Sequence, residues 1–217
     1  MKQLKNTQAE AVRAAISQVE ENTDAELVAV LAHQADSYQF ITTLWAALAA
    51  LMLPSLLWVL GFWLQVSDIF LVQFITMVSL LLLFRWSWLL GHIVPKSVRL
   101  QRAASLARCE YLHNNLQHTK GQTGVLIFIS KTERYVEIIA GPGIDQYVEQ
   151  THWKSIVDTL TESIKDDRTL PGLVTAIESC GELLAQYVPA TEAKNELPNH
   201  LVVLNKRGKR LFMTGAD

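Results

Sequence analysis

The sequence predicts an α/β fold, a small mixed-sheet α/β sandwich that is interrupted by a two-helix transmembrane hairpin. Two long apolar runs, Phe40–Leu64 and Ile69–Leu83, are separated only by the short polar connection Gln65–Asp68. On both sides of this pair, amphipathic helical patterns alternate with short apolar runs of strand length. Such alternation is typical of helices that pack on a sheet, and the long runs are typical of membrane spans.

The segment before the first long run predicts one helix and one strand. Apolar residues recur at helical spacing across Thr7–Glu21, and Thr7 with Glu10 matches the capping box that starts many helices. The next segment, Glu26–Ala32, is an almost continuous apolar run. A run of this length without alternation indicates a strand that is buried on both faces.

The two long runs have the length of membrane spans, which need about 20 apolar residues at about 1.5 Å rise per residue. We expect spans at about residues 40–64 and 67–88, because the sequence following the second run carries its helix into the interface. The connection is short, so the two helices should run antiparallel as a hairpin. We expect Arg85, Trp86 and Trp88 to lie at the membrane interface, where a guanidinium reaches water and indoles lie among the headgroups.

Charge in the flanks sets the expected orientation and location. Lys and Arg occur before the hairpin and after it, whereas the Gln65–Asp68 connection has none. By the positive-inside rule both termini face the cytoplasm, and we predict a multi-pass protein of a bacterial inner (plasma) membrane. The alternative for Arg85, an intramembrane charge on a pathway, is less favoured because this residue lies near the end of the run.

The segment after the hairpin predicts a helix, two strands and two further helices. Ser97–Leu116 has apolar residues on one side at helical spacing, and Val125–Ile129 is an unbroken apolar run. Glu133–Ala140 alternates and follows after a turn of about three residues, so these two strands should pair antiparallel. The last two helices begin near Trp153 and near Thr169, where a threonine cap precedes a proline.

These elements predict one domain that is formed by both flanks of the hairpin. The segment before the hairpin is too short to bury a core of its own, so we expect it to pack with the segment that follows. In the C-terminal segment, only Leu201–Leu204 and Leu211–Met213 could add a strand or a hairpin. The predicted boundaries are residues 1–38 for the first helix and strand, 39–94 for the transmembrane hairpin, 95–189 for the remainder of the domain and 190–217 for a polar tail.

Composition and charge disfavour several classes of function. The formal net charge is −2, with acidic and basic residues interspersed, so no nucleic-acid partner is expected. Cys109 and Cys180 have neither metal-ligand nor disulfide spacing and are interpreted as buried small residues in a reducing compartment. The six histidines give no zinc-ligand spacing. The sequence has no Gly-x-Ser-x-Gly nucleophile motif, and no catalytic residue is assigned.

Acidic residues near the ends of the predicted elements are the candidates for a metal site. Asp36, Asp145, Asp166 and Asp167 could converge at one edge of the sheet and bind a hard cation such as Ca²⁺, which prefers about six to eight oxygens. The competing interpretation, which we favour, is that they are loop, cap and solvated residues, and no cofactor is then expected. Gly141-Pro142-Gly143 could let backbone N–H groups approach an anion, but it lacks the Lys and Ser/Thr of a phosphate loop and is interpreted as a structural turn.

Several segments, in this order and spacing, carry a family resemblance. They are Glu21–Val28 leading into Asp36-Ser37-Tyr38, Thr123–Ser130, Glu133–Ile138, Gly141–Ile144, Trp153, Gly172-Leu173, Ala176-Ile177, Cys180–Ala185 and Pro189. From about Thr7 to Pro189 the chain resembles the TPM domain family, the TPM_phosphatase-like group that includes thylakoid acid phosphatase-like and photosystem II repair proteins. It is most similar to the bacterial membrane branch, in which a transmembrane hairpin is inserted in the domain.

The resemblance implies a TPM-like fold, but the acidic pattern of the family is incomplete. Members proposed as phosphatases or calcium binders typically carry an acidic residue just before an apolar strand, and the matching place here is Gln122-Thr123-Gly124, with no carboxylate. Asp166-Asp167-Arg168 stands where the family often has a Gly-Asp pair. One acidic element is present and another is absent, which disfavours a metal-dependent hydrolase.

We therefore expect a membrane-anchored cytoplasmic TPM-like domain that acts as a non-catalytic docking or assembly and maintenance factor for a membrane-associated complex. Its expected partners are the lipid bilayer and either a membrane protein or a second copy of the chain. Anchoring would confine the domain near such partners and raise their effective concentration. The alternative is a phosphatase or metal-dependent hydrolase of the TPM type that uses Asp36, Asp145 and the pair Asp166 and Asp167.

Overall fold

The computed structural model describes residues 6–63, 65–84, 94–191, 200–205 and 208–211. The chain divides into two units, one formed by Met1–Asp36 together with Leu100–Asp217 and the other by Ser37–Arg99. The first unit is an α/β domain and the second is a helical hairpin. The α/β domain therefore contains residues from both sides of the hairpin.

A mixed five-stranded sheet with the order β3-β2-β1-β4-β5 forms the centre of the α/β domain. β1 pairs in parallel with β2 on one edge and with β4 on the other. The pairs β2–β3 and β4–β5 are antiparallel. The α/β class, the small mixed sheet and the antiparallel β2–β3 pair predicted from the sequence are confirmed. The strands are β1 (Leu27–Ala32), β2 (Val125–Ser130), β3 (Tyr135–Ala140), β4 (His200–Leu204) and β5 (Arg210–Leu211).

The helices follow the apolar periodicities of the sequence. They are α1 (Asn6–Glu20), α2 (Gln39–Val59), α3 (Val66–Leu83), α4 (Lys96–His113), α5 (Pro142–Asp145), α6 (Gln150–Lys165) and α7 (Thr169–Tyr187). Short 3₁₀ turns at Leu116–His118 and Lys120–Gln122 connect α4 to β2. The first of these turns follows Asn115, which has a positive φ of 56°. The helix α4 therefore ends at His113, before the predicted end at Leu116.

Helices cover both faces of the sheet, so the domain has three layers. Leu27, Ala29 and Leu31 of β1 are buried in one apolar cluster with residues of α1, α6 and α7. The alternate residues Val28 and Val30 are buried in a second cluster with Ala103 and Ala107 of α4. Burial on both faces explains why β1 is an unbroken apolar run instead of an alternating one.

The sheet extends into the C-terminal segment, which the sequence assigned to a polar tail with a possible strand or hairpin at Leu201–Leu204 and Leu211–Met213. This segment supplies β4, whose residues Leu201–Leu204 are buried, and the short β5. Arg210 of β5 also forms an ion pair with Glu110 of α4, with Nη2 and Oε2 2.7 Å apart. The Glu110 side chain is 8% exposed, so this pair is shielded from water and fastens the C-terminal hairpin to α4.

The second unit consists of α2 and α3, which pack against each other. Both helices are long and apolar enough to cross a membrane. Their large apolar side chains are exposed, for example Met52 at 66% and Phe74 at 70%. In α2 the buried residues recur every fourth position, at Thr42, Ala46, Ala50 and Pro54. The predicted interface residues Arg85, Trp86 and Trp88 lie outside the described residues.

Gly181 of α7 allows α1 and α7 to pack closely. A Cβ atom at this position would lie 2.4 Å from Cγ2 of Val19 in α1. We predict that Gly181→Ala lowers the free energy of unfolding by up to about 2 kcal/mol, because overpacking costs about 1–3 kcal/mol and the helix propensity of alanine returns about 1 kcal/mol. Thermal unfolding of the full-length protein in detergent micelles, followed by circular dichroism, measures this change.

Two companion variants test this explanation. Glu182→Ala changes the next, exposed residue and should stay within about 0.5 kcal/mol of the wild type. In a Val19→Ala background the clash is removed, so Gly181→Ala should become neutral or stabilising. Equal destabilisation in both backgrounds would contradict the close α1–α7 contact as the cause.

Candidate functional site

The four aspartates proposed as metal ligands lie at the ends of different elements. Asp36 follows β1, and its Oδ2 is 3.4 Å from Nε of Arg102. Asp145 is the last residue of α5, and its Oδ1 accepts a hydrogen bond from Nε2 of Gln150 at 2.8 Å. Each of these two carboxylates therefore already has a polar partner within the domain.

Asp166 and Asp167 follow the C-terminus of α6. Asp166 accepts a 2.8 Å hydrogen bond from Arg168, with both side chains mostly exposed. Asp167 has a positive φ of 58°, which marks the turn into α7. This arrangement fits the interpretation of these residues as cap and turn residues.

The structure does not bring the four aspartates together. Asp145 precedes α6 and Asp166 follows it, and the 16 residues of that helix correspond to a length of about 24 Å. A single cation with ligand distances of about 2.3–2.6 Å cannot contact both ends of such a helix. Among the described residues, no group of three or more His, Cys, Asp or Glu side chains is placed to hold a metal ion.

The Gly141-Pro142-Gly143 turn packs against the loop that precedes β2. The Gly141 N–H donates a hydrogen bond of 2.9 Å to the Gly124 carbonyl oxygen. A Cβ atom on Gly143 would lie 1.9 Å from the Gly121 carbonyl oxygen, and one on Gly141 would lie 2.1 Å from that of Gln122. Glycine is required here by close backbone packing, which accounts for the motif without an anion.

A buried polar cluster lies at the carboxyl ends of β1 and β2, and it was not found from the sequence. We call it the exit cluster, because its residues Gln34 and Ala35 are among the last of the domain before the hairpin. Glu133, 5% exposed, accepts hydrogen bonds from the Ser130 hydroxyl and, at 3.1 Å, from the Ala35 N–H. The Gln34 side-chain amide donates to the Asp36 carbonyl oxygen. A buried carboxylate thus fastens the segment after β1 to the β2–β3 turn.

The turn around Glu133 makes further backbone contacts with the same segment. The Thr132 N–H donates to the His33 carbonyl oxygen at 3.1 Å, and the Thr132 hydroxyl donates to the same oxygen at 2.7 Å. These bonds and those of Glu133 hold one short segment in one conformation. The arrangement is therefore suited to positioning the chain, with the carboxylate acting as a hydrogen-bond acceptor for fixed donors.

The opposite end of β1 carries another acidic residue with fixed partners. Hydrogen bonds from the Thr191 hydroxyl and the Thr191 N–H lower the pKa of Asp24, because they stabilise its charged form. The Thr123 hydroxyl donates to the Asp24 carbonyl oxygen at 3.2 Å. Thr123 belongs to the segment where the related family carries an acid, so a hydroxyl there performs a structural role in this chain.

The strongly shifted groups are not activated nucleophiles. Burial raises the pKa of the Cys180 thiol to about 12. Burial, and then the neighbouring Glu137 carboxylate, raises the pKa of Tyr135 to about 12. Both groups therefore stay neutral at physiological pH. Cys109 is exposed, so its expected burial is wrong: it lies two positions beyond the buried Ala107 of α4 and so on another side of the helix.

Comparison with known proteins identifies part of the domain. Residues 93–183 match the family model described as the TPM domain. This part of the chain is therefore similar to the TPM domain. The match covers α4, β2, β3, α5, α6 and most of α7, while β1 and β4 lie outside it and complete the same sheet. The resemblance to the TPM family that the sequence motifs suggested is therefore confirmed.

A solved structure shares the fold. The NMR structure of the BA42 protein from the psychrophilic bacterium Bizionia argentinensis sp. nov. is similar with a TM-score of 0.57, over 92% of this chain and 94% of that chain. The two sequences are 18% identical, so the likeness concerns the fold alone. Comparison with curated proteins gives no significant match.

The exit cluster should contribute measurably to the stability of the α/β domain. We predict that Glu133→Ala lowers the free energy of unfolding by about 2–4 kcal/mol, because it leaves the buried Ser130 hydroxyl and the Ala35 N–H without an acceptor. Glu133→Gln should cost less, since its amide oxygen can still accept a hydrogen bond. The melting temperature of the full-length protein in micelles measures both effects.

Lys131→Ala is the matched control for this prediction. Lys131 lies in the same turn and is exposed, so its side chain should contribute less than about 0.5 kcal/mol. A Glu133→Ala variant as stable as the Lys131→Ala variant would show that the exit cluster does not hold the segment after β1.

Proposed function

We propose that this protein is a membrane-anchored TPM domain, which docks on a membrane-associated complex and assists its assembly or maintenance without catalysing a reaction. The observation that carries the proposal is the insertion of an apolar hairpin into the sequence of an α/β domain. α2 and α3 present large apolar side chains on their surfaces, as membrane spans do and as helices of soluble domains do not.

The sheet supports one particular topology. β1 precedes the hairpin and β2 follows it, and the two strands pair in register from Leu27 with Val125 to Ala32 with Ser130. The two flanks must therefore lie on the same side of a membrane that the hairpin crosses. Lys and Arg residues in both flanks favour the cytoplasmic side of a bacterial inner membrane, with both termini in the cytoplasm.

The polar groups of the domain support a docking role over hydrolysis. Asp36 and Asp166 each pair with an arginine, and Asp145 accepts a hydrogen bond from a glutamine. Glu133 accepts hydrogen bonds from a backbone N–H and a hydroxyl. These contacts fit positions that shape a surface. Confinement of that surface near the bilayer raises the effective concentration of membrane partners, which favours association without any new contact.

The topology can be tested with the cysteines that the chain already carries. In intact bacterial cells, a membrane-impermeant maleimide should not label the exposed Cys109 of the wild type until the membrane is permeabilised. A Ser67→Cys variant in a Cys109→Ser background places its thiol on the exposed first turn of α3, next to the connection of the hairpin, and it should be labelled without permeabilisation. Cys180 should remain unlabelled in both proteins, because it is buried and its pKa is raised to about 12.

Labelling in the reverse pattern would overturn the cytoplasmic orientation. Release of the wild-type protein from washed membranes at alkaline pH would overturn the anchor itself. Labelling of Cys180 in the folded protein would show that the domain is not intact in the cell, so this thiol serves as the internal control.

The docking role predicts a specific neighbour at the surface of the domain. Tyr147 is 58% exposed, and exposed aromatic side chains are enriched at protein interfaces. With p-benzoylphenylalanine in place of Tyr147, irradiation of cells should give a discrete adduct with a membrane protein. The same substitution at the exposed Lys154 is the matched control and should give none.

Hydrolysis would produce a different set of results. An absence of adducts at Tyr147, together with calcium-dependent phosphate-ester turnover that is lost in an Asp166→Asn, Asp167→Asn variant, would contradict the docking role. The purified full-length protein in micelles is the sample for the turnover measurement.

A further inference from the structure

Gln73 is a polar residue near the middle of α3, the more apolar of the two helices of the hairpin. It is the eighth of the 18 residues of α3, so about 10 Å of helix precede it and about 15 Å follow it. A glutamine side chain cannot span such a distance to reach the headgroups. If α3 crosses the bilayer as proposed above, the Gln73 carboxamide lies in the hydrocarbon layer, where an unsatisfied polar group is costly.

The hairpin itself does not satisfy this carboxamide. Within the part of the chain that the structure describes, the Gln73 side chain has no hydrogen-bond partner. It lines a groove of about 560 Å³ between α2 and α3. The other residues of this groove are apolar, namely Ala47, Ala50, Leu51, Phe70, Phe74 and Met77. None of these side chains can donate a hydrogen bond to the Gln73 amide oxygen, so a donor from a second molecule seated in the groove would satisfy it.

We propose that the groove binds the hairpin of a second copy of this chain, with the two Gln73 carboxamides hydrogen-bonded to each other. A carboxamide has donors and an acceptor and is therefore complementary to itself. Two copies that insert with the same topology place Gln73 at the same depth, so the reciprocal pair needs no adjustment along the membrane normal. The arrangement is an isologous contact about a two-fold axis along that normal.

The residues beside Gln73 allow a second helix to approach closely. Ala47 and Ala50 are small, and small residues at membrane helix contacts let backbones come near each other. Pro54 has no N–H to donate to the Ala50 carbonyl oxygen, which leaves an additional acceptor at a residue of the same groove. The second N–H of each carboxamide can use this acceptor. A different membrane protein would need a matching polar group at the same depth, which a second copy supplies by identity.

Energy transfer between labelled copies in lipid vesicles tests this proposal, which rests on the membrane anchoring proposed above. The full-length protein is labelled on the exposed Cys109 with donor or acceptor dyes, while the buried Cys180 is not labelled. We expect transfer that decreases as lipid is added at constant protein. Gln73→Leu should weaken the association about 3- to 30-fold, the range measured for hydrogen bonds between membrane helices.

Three further variants separate the carboxamide from other effects. Gln73→Asn keeps the carboxamide and should retain most of the association. Ser79→Ala removes a polar group of α3 outside the groove and should leave the association unchanged. Ala47→Leu fills the groove while keeping Gln73, and it should weaken the association, which keeps the proposal testable if Gln73→Leu does not fold.

The outcomes distinguish this inference from the proposed function. Protein that remains in the vesicles after an alkaline wash but shows no transfer would overturn the pairing and leave the anchor intact. Transfer that is equal in the wild type and in Gln73→Leu would also overturn it. Protein that washes off the vesicles would overturn the anchor and the pairing together.

Discussion

The placement of β1 between two strands that follow the hairpin is the constraint on which the rest of the structure depends. β1 forms parallel backbone ladders with β2 along Leu27–Ala32 and with β4 along Val28–Ala32. All six residues of β1 are buried, so water cannot replace these hydrogen bonds at low cost. The domain is therefore complete only when the segments before and after the hairpin are joined. If the hairpin crosses a membrane as proposed, the whole domain lies on one side of it.

Two shielded polar contacts secure the segments that complete this sheet. Glu133 accepts a hydrogen bond from the segment that follows β1. The ion pair between Glu110 and Arg210 fastens β5 to α4. Both carboxylates are buried, and a buried charge is tolerated only with well-placed partners. The loss of Arg210 would leave Glu110 in a shielded position without its guanidinium. These contacts thus favour one conformation of each segment over many alternatives, even where their net contribution to stability is modest.

The parts of the fold that were predicted from sequence are those with a strong local pattern. Long apolar runs predicted α2 and α3. Unbroken apolar runs predicted β1 and β2, alternation predicted β3, and helical apolar periodicity predicted α6 and α7. In residues 190–217 the sequence allowed a strand at Leu201–Leu204 but could not place it in the sheet. A strand of five residues between polar segments has no local signal that shows its pairing with β1. The exit cluster was missed for a similar reason: Glu133 is a charged residue in a turn, and only packing shows that it is buried. The aspartates were considered together as ends of elements, without the length of α6, which separates Asp145 from Asp166.

The position of the hairpin explains why a domain can carry such an insertion. Two neighbouring parallel strands need a crossover connection, and the chain between β1 and β2 already has to pass from one end of the sheet to the other. Adding residues to a connection of this kind changes no register, and the entropy of closing it rises by only about 0.6 kcal/mol for each doubling of its length. In the β2–β3 turn, by contrast, the ladder begins at Ser130 with Tyr135, and Glu133 lies within that short turn, so an insertion there would displace the exit cluster. The crossover between β1 and α4 is therefore the place where a long helical hairpin can be added at low cost to the sheet.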